Sequence, residues 1–205
     1  MQTQVADKPI IAYQLHGNCY LNITNRCTLR CAFCPKFNKI WEVQGYSLRT
    51  RHEPSAGEIL AAVGDPAPYK EIVFCGLGEP TLRLAVLLQV AEQLKAQGAR
   101  IRVNTDGLAS LVYGRDIPPE LKGKVDALSI SLNAHDEITY SRHCRPLKAG
   151  AYQSLMGFIK SASRQIPDVT VTAINGLEGV DMALSRQLAE QLGAKFRQRE
   201  LDEVG

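Results

Sequence analysis

Three of the chain's six cysteines fall inside the eight residues CTLRCAFC, as Cys27, Cys31 and Cys34. Thiols this close in sequence are too near one another for most disulfide geometries, and they suit a shared centre. An iron–sulfur cluster is held by thiolates, and a four-iron cluster usually takes four. Three would leave one iron open to another ligand. Zinc in a closed structural site takes four protein ligands, commonly from paired C-x2-C elements. No matching pair exists here, although His16, His52, His135 or His143 could complete a Cys3His site. Incidental core cysteines are the third reading, and Arg30 with the surrounding Thr and Asn makes this a poor core segment.

The remaining chain must supply the frame for those thiols. Six short β-branched or apolar runs alternate with helical or loop segments: Cys19–Thr24, Glu71–Cys75, Arg100–Thr105, Asp126–Leu132, Val169–Ile174 and Lys195–Arg199. Leu84, Leu87, Leu88, Ala91 and Leu94 recur at helical spacing, predicting a helix over 84–96 that Gly98 stops. Further helices are expected over 151–163 and over 182–192, the latter between an Asp181 cap and Gly193. Ser55 with Glu58 makes a capping box for a helix over 55–63. Repeated strand–helix–strand units are right-handed and build a parallel sheet. A closed eight-unit barrel needs about 250 residues. Six units in 205 residues therefore predict an α/β single domain, a partial (β/α)6 TIM-like barrel of parallel strands with an open side. In that reading residues 1–17 are an N-terminal extension and 18–205 the partial barrel. A doubly wound open sheet is the alternative that periodicity leaves open.

Composition narrows the setting. The net charge of +3 comes from scattered Lys and Arg, which leaves no basic stripe for nucleic acid. No apolar run approaches the ~18 residues of a membrane-spanning helix. MQTQVADKPII has no charged region followed by an apolar one, so no signal peptide is expected. The expectation is a cytoplasmic chain, in which clustered reduced thiols point to metal or catalysis rather than disulfides.

Polar and glycine residues gather at the carboxyl ends of the six runs, where parallel β/α folds place function. CTLRCAFC follows the first and Gly76-Leu77-Gly78-Glu79-Pro80 the second. Asn104-Thr105-Asp106-Gly107, Ser131-Leu132-Asn133 and Asn175-Gly176-Leu177-Glu178 end the third to fifth, and Arg197, Gln198, Arg199 and Glu200 lie in the sixth. One polar loop would mean little; six at one end, with the cysteines among them, point to a site.

The spacing C-x3-C-x2-C after a first strand, with Phe33 before its last cysteine, resembles the signature of radical S-adenosylmethionine (SAM) enzymes. The segments YLNITNRCTLRCAFC, EIVFCGLGEPTLR, IRVNTDG, DALSISLNAHD and AKFRQRE are similar, in order and character, to the short TatD-associated radical SAM proteins. That resemblance implies one [4Fe–4S] cluster on Cys27, Cys31 and Cys34, with SAM chelating the fourth iron. It implies reductive cleavage of SAM to methionine and a 5′-deoxyadenosyl radical that abstracts hydrogen from a substrate. An external electron donor of flavodoxin or ferredoxin type and a TatD-type metal-dependent hydrolase are the implied partners.

The same resemblance distributes SAM contacts over the strand ends. Gly76, Gly78 and Glu79 are similar to a Gly-Gly-Glu motif that approaches the methionyl ammonium, with Leu77 as an insertion. Asn104, Thr105 and Asp106 stand at the ribose or methionyl position. Ser131 and Asn133 stand at the carboxylate position, with Ser129, Ser131 and Asn133 expected on one face of their strand. Arg145, before Arg142, is expected to pair the carboxylate, while Ile174, Gly176 and Phe33 surround the adenine. Cys75 and Cys144 are expected near the catalytic rim as candidate hydrogen donors or thiyl relays, and Cys19 as structural. A glycyl-radical-type activase, a non-catalytic iron–sulfur module and a zinc interaction domain are the rival functions.

Overall fold

The computed structural model describes residues 10–201. The chain runs through β1 (Ala12–Leu15), β2 (Asn18–Leu21), β3 (Glu42–Val43), β4 (Tyr46–Ser47), α1 (Ala56–Val63) and β5 (Ile72–Phe74). A 3-10 turn (Pro80–Arg83) then leads into α2 (Leu84–Ala96), followed by β6 (Ile101–Thr105), α3 (Ala109–Tyr113), α4 (Pro118–Leu121) and β7 (Ala127–Ser131). The last elements are α5 (Glu137–Cys144), α6 (Ala151–Gln165), β8 (Asp168–Asn175), α7 (Met182–Gln191) and β9 (Lys195–Glu200).

Seven strands form one sheet in the order β1-β2-β5-β6-β7-β8-β9. Every neighbouring pair is parallel except β1 with β2. Spatial order equals chain order throughout. A doubly wound sheet must reverse its order at a switch point, so that alternative falls and the single-domain partial barrel stands. The six strands read from sequence are β2 and β5 to β9.

Local chemistry explains the element ends. Ser55 Oγ accepts the Glu58 amide at 3.3 Å while Glu58 Oε2 accepts the Ser55 amide at 2.8 Å, completing the capping box of α1. Asp181 Oδ1 takes the amides of Ala183 and Leu184 at 2.8 and 2.9 Å, which starts α7.

Several elements escape the sequence reading. β1 lies inside the segment read as an extension and is the antiparallel edge of the sheet. His16 and Gly17, at φ 54° and 79°, make the two-residue turn that joins it to β2. Gln44 and Gly45 do the same for the β3–β4 hairpin, in a stretch read as loop. α3 and α4 occupy a gap for which no helix is expected, and α5 precedes the helix expected over 151–163.

Alternation gives the sheet two unlike faces. Leu21, Phe74, Val103, Leu128, Ile130 and Val171 pack beneath Leu87, Val90, Leu94, Leu155 and Phe158 of α2 and α6. Each such side chain contributes roughly 1.5–3 kcal/mol through burial. The opposite, concave face is polar. By register, Asn104 stands beside Ser129, Ser129 beside Thr170, Ser131 beside Thr172, Thr172 beside Arg197 and Ile174 beside Arg199.

Candidate functional site

The cysteine triplet occupies the loop after β2, and long-range backbone bonds shape that loop. The Arg30 amide donates to the Cys144 carbonyl at 3.1 Å, the Ala32 amide to the His143 carbonyl at 2.8 Å, and the Leu147 amide to the Thr28 carbonyl at 3.0 Å. On its other side Thr28 Oγ1 is hydrogen-bonded to Asp106 Oδ2. Cys27, Cys31 and Cys34 are all half-buried. Burial, reinforced by the Asp106 and Glu79 carboxyls, pushes the Cys27 thiol up to about 12. A hydrogen bond with Cys144, then burial, raises Cys31 well above its ordinary value. These are soft donors whose protons a metal centre must displace.

The histidines are engaged elsewhere. His52 Nε2 bonds Glu58 at 3.0 Å, His143 Nε2 bonds the Glu178 carbonyl at 2.7 Å, and His135 Nδ1 accepts the Asp181 amide at 3.3 Å. His16 lies in the β1–β2 turn. Among the described residues no three His, Cys, Asp or Glu converge as a single-ion cage. A four-iron cluster does not require that convergence, because each thiolate binds a different iron. Cys27 and Cys34 both lie within electrostatic reach of Cys31, as thiols sharing one cluster would, while His52, His135 and His143 are held away from a Cys3His zinc site.

The loop after β5 sits directly against the triplet loop. A Cβ on Gly78 would lie 2.2 Å from the Thr24 carbonyl oxygen and 2.6 Å from that of Arg26. One on Gly76 would lie 2.1 Å from Asn22 Oδ1. Both glycines therefore permit contact between two strand-end loops. Glu79 is buried, with Oε1 accepting from the Thr81 amide at 3.0 Å and the hydroxyls of Thr81 and Thr105 at 2.6 and 2.8 Å. Its Oε2 accepts the Asp106 amide at 2.7 Å. Four protein donors surround the carboxylate, which makes Glu79 the bolt between the loops after β5 and β6. Burial raises both Glu79 and Asp106, and for Asp106 the neighbouring Glu79 adds to the rise.

The other expected SAM residues divide by location. Asn104 lies on the concave face, hydrogen-bonded to Cys75, with its buried Oδ1 lacking a partner among the described residues. Ser131 ends β7 on the same face. Asn133 does not continue the alternation. At φ 61° it leaves the strand, turning Nδ2 to Cys144 Sγ at 3.5 Å and leaving Oδ1 buried and unpartnered. Arg145 caps α5 in the left-handed region at φ 48° and is exposed. Ile174 is fully buried, Gly176 turns the chain at φ 92°, and Phe33 is partly buried against the main core. Cys75 is partly exposed on the concave face; burial pushes its thiol up, against Asn104 and Arg199, which pull it down. Cys144 is fully buried behind the triplet loop.

Three participants carried no sequence signal: Thr28, Asn22, whose Nδ2 reaches the Leu48 carbonyl at 2.8 Å, and Tyr140, whose buried hydroxyl has no partner among the described residues. A cavity of about 450 Å³ opens beside Cys27, lined by Leu29, Arg30, Lys36, Phe37 and Trp41 among others. The unpartnered amide oxygen of Asn104, facing the polar concave surface, suits a ligand rich in N–H and O–H donors, as an amino acid or ribose is.

The sequence profile of the Radical SAM superfamily matches residues 21–191. The chain belongs to that superfamily. Enzymes of that superfamily use a [4Fe–4S] cluster and SAM. Solved structures of similar fold include TYW1 with a lysine-pyruvate adduct bound, at TM-score 0.64 and 16% identity over 92% of this chain and 66% of that one. Methylornithine synthase (PylB) follows at TM-score 0.60 and 15% identity, covering 90% and 53%. Streptococcus suis SuiB bound to its precursor peptide SuiA gives 0.66 and 12%, covering 96% and 40%. The radical SAM chain described here thus spans between 40% and 66% of the length of these structures. Among its described residues no helix is long and apolar enough to cross a membrane.

Proposed function

We propose that Cys27, Cys31 and Cys34 ligate three irons of the [4Fe–4S] cluster, and that SAM binds across the ends of β5 to β8. The observation that carries this is the position of the three thiols. They lie at the carboxyl end of β2, on a loop bonded on one side to the loop after β6 and on the other to the C-terminal end of α5. When bound, the cluster delivers one electron to SAM, whose cleavage gives methionine and a 5′-deoxyadenosyl radical that takes hydrogen from substrate. The protein's part is to hold and shield. Asn104 and Ser131 offer hydrogen bonds to SAM from the concave face, Ile174 and Phe33 give the adenine an apolar wall, and Arg145 supplies positive charge for the carboxylate. Glu79 acts through Thr105 and Asp106, keeping that strand end in place. Cys75 faces the same space and is the nearer candidate for a hydrogen donor to substrate. Cys144, behind the loop, is not placed for that role.

The open edge at β9, which carries Arg197 and Arg199, favours a large substrate or a protein, as a glycyl-radical-type activase would use. We assign the chain to the TatD-associated subgroup, acting in the cytoplasm with a flavodoxin- or ferredoxin-type donor and a TatD-type hydrolase. Anaerobic reconstitution tests the central reading. Wild type is expected to bind about four irons and, once reduced, to release 5′-deoxyadenosine from SAM, with each of the three Cys→Ala variants doing neither. A brown protein that never cleaves SAM would make the chain a non-catalytic iron–sulfur module. Deuterium transfer from candidate substrates into 5′-deoxyadenosine identifies the hydrogen donor.

A further inference from the structure

Tyr140 and Cys144 lie one turn apart on α5, so their side chains share one face of that helix. Both are fully buried. Their end of the helix meets the triplet loop, because the amides of Arg30 and Ala32, on either side of Cys31, are bonded to the carbonyls of Cys144 and His143. The Cys144 thiol is hydrogen-bonded to the Cys31 side chain. It also receives Asn133 Nδ2 at 3.5 Å, and once Cys31 is a thiolate the proton in the Cys31–Cys144 contact can come only from Cys144. The Tyr140 hydroxyl stands within electrostatic reach of Cys144, Cys31 and Cys27, yet has no hydrogen-bond partner among the described residues. Leaving a buried hydroxyl unpaired is unfavourable, so this one calls for an acceptor that the described residues do not supply.

We infer that Tyr140 and Cys144 donate hydrogen bonds to the sulfur of the bound cluster and its Cys31 thiolate, raising the cluster's reduction potential. The inference rests on Cys31 being a ligand. Neither residue binds iron; both are positioning residues that act through sulfur. Reduction adds one electron and no proton, so negative charge grows on the sulfurs, and donors stabilise the reduced form more than the oxidised one.

The test is a dithionite titration through redox mediators, with reduced cluster followed by electron paramagnetic resonance and iron measured on the same samples. Reconstituted wild type, Tyr140→Phe, Cys144→Ala and Cys144→Ser are compared. All are expected to hold about four irons. Tyr140→Phe and Cys144→Ala should each be about tenfold harder to reduce, a fall of about 59 mV. Cys144→Ser, which keeps a donor, should stay near wild type. Unmoved potentials in Tyr140→Phe and Cys144→Ala at full iron content overturn the inference and leave the ligand assignment standing. A folded Cys144→Ala without iron also overturns it, since Cys144 would then be a ligand. Full cluster binding by Cys31→Ala overturns the ligand assignment itself. Tyr140→Phe, nearly isosteric, decides the matter if Cys144→Ala does not fold.

Discussion

The two ends of the sheet are built on opposite electrostatic plans. At the amino end Glu71 takes Arg102 through two hydrogen bonds of 2.7 and 2.8 Å and Arg100 at 2.8 Å. Asp168 takes Arg100 and Lys195, each at 3.1 Å. Burial raises the carboxyls of Glu71 and Asp168, but their cationic neighbours outweigh it and hold both below the ordinary range. At the carboxyl end Glu79 and Asp106 have only neutral hydrogen-bond donors, and burial drives both upward. Unpartnered oxygens on Asn22, Asn104, Asn133 and Tyr140 lie at this end as well. The lower end has its charges matched within the protein, whereas the upper end leaves polar atoms without partners among the described residues.

Substitutions at the two ends test that contrast. The largest effect is expected from Gly78→Ala, whose methyl would collide with two backbone carbonyls of the triplet loop. A loss of about 3 kcal/mol, at the upper end of ordinary overpacking, should appear in urea unfolding together with loss of iron binding. Glu71→Gln should cost about 2 kcal/mol at neutral pH by removing the carboxylate that pairs Arg102, Arg100 keeping Asp168, with iron binding intact. The same residue sets a pH dependence. A depressed folded-state pKa contributes stability that is present above the unfolded value of 4.5 and lost as pH falls through the folded one. Wild type should therefore weaken as pH drops below that value, and Glu71→Gln should weaken less steeply. Thr28→Val removes the hydroxyl bonded to Asp106 and should cost about 1 kcal/mol, while lowering the iron retained by the reconstituted protein. Arg115→Ala, which breaks an exposed pair with Glu120, should leave the unfolding midpoint unmoved and serves as the control.

Legibility followed the range of the interactions concerned. α1, α2 and α7 were readable because a cap and a helical period lie within a few residues of one another. β1 was not, since AYQL becomes a strand only by pairing with β2. α5, EITYSRHC, lacks an apolar period and is set by its Asp136 cap, whose Oδ1 takes the Thr139 amide at 2.9 Å. The thiol triplet was plain from spacing, and profile matching places it in a radical SAM domain. That Glu79 is fully engaged by protein donors was not readable, because those donors include Thr105 and Asp106, on another strand end. The turn of Asn133 away from the face of Ser131 depends on a single positive φ, which an alternation rule has no means to anticipate.

The bonds from Thr28, Arg30 and Ala32 to residues 143–147 carry a consequence for biosynthesis. They join points more than a hundred residues apart, and such contacts form late because loop closure must precede them. While the chain emerges from the ribosome, the cysteine loop is made early but has no template for its shape until α5 and Leu147 have followed. Iron–sulfur delivery is then expected to act on a polypeptide that already extends past α5, and a nascent chain stalled before residue 147 would present three loose thiols rather than a receptacle.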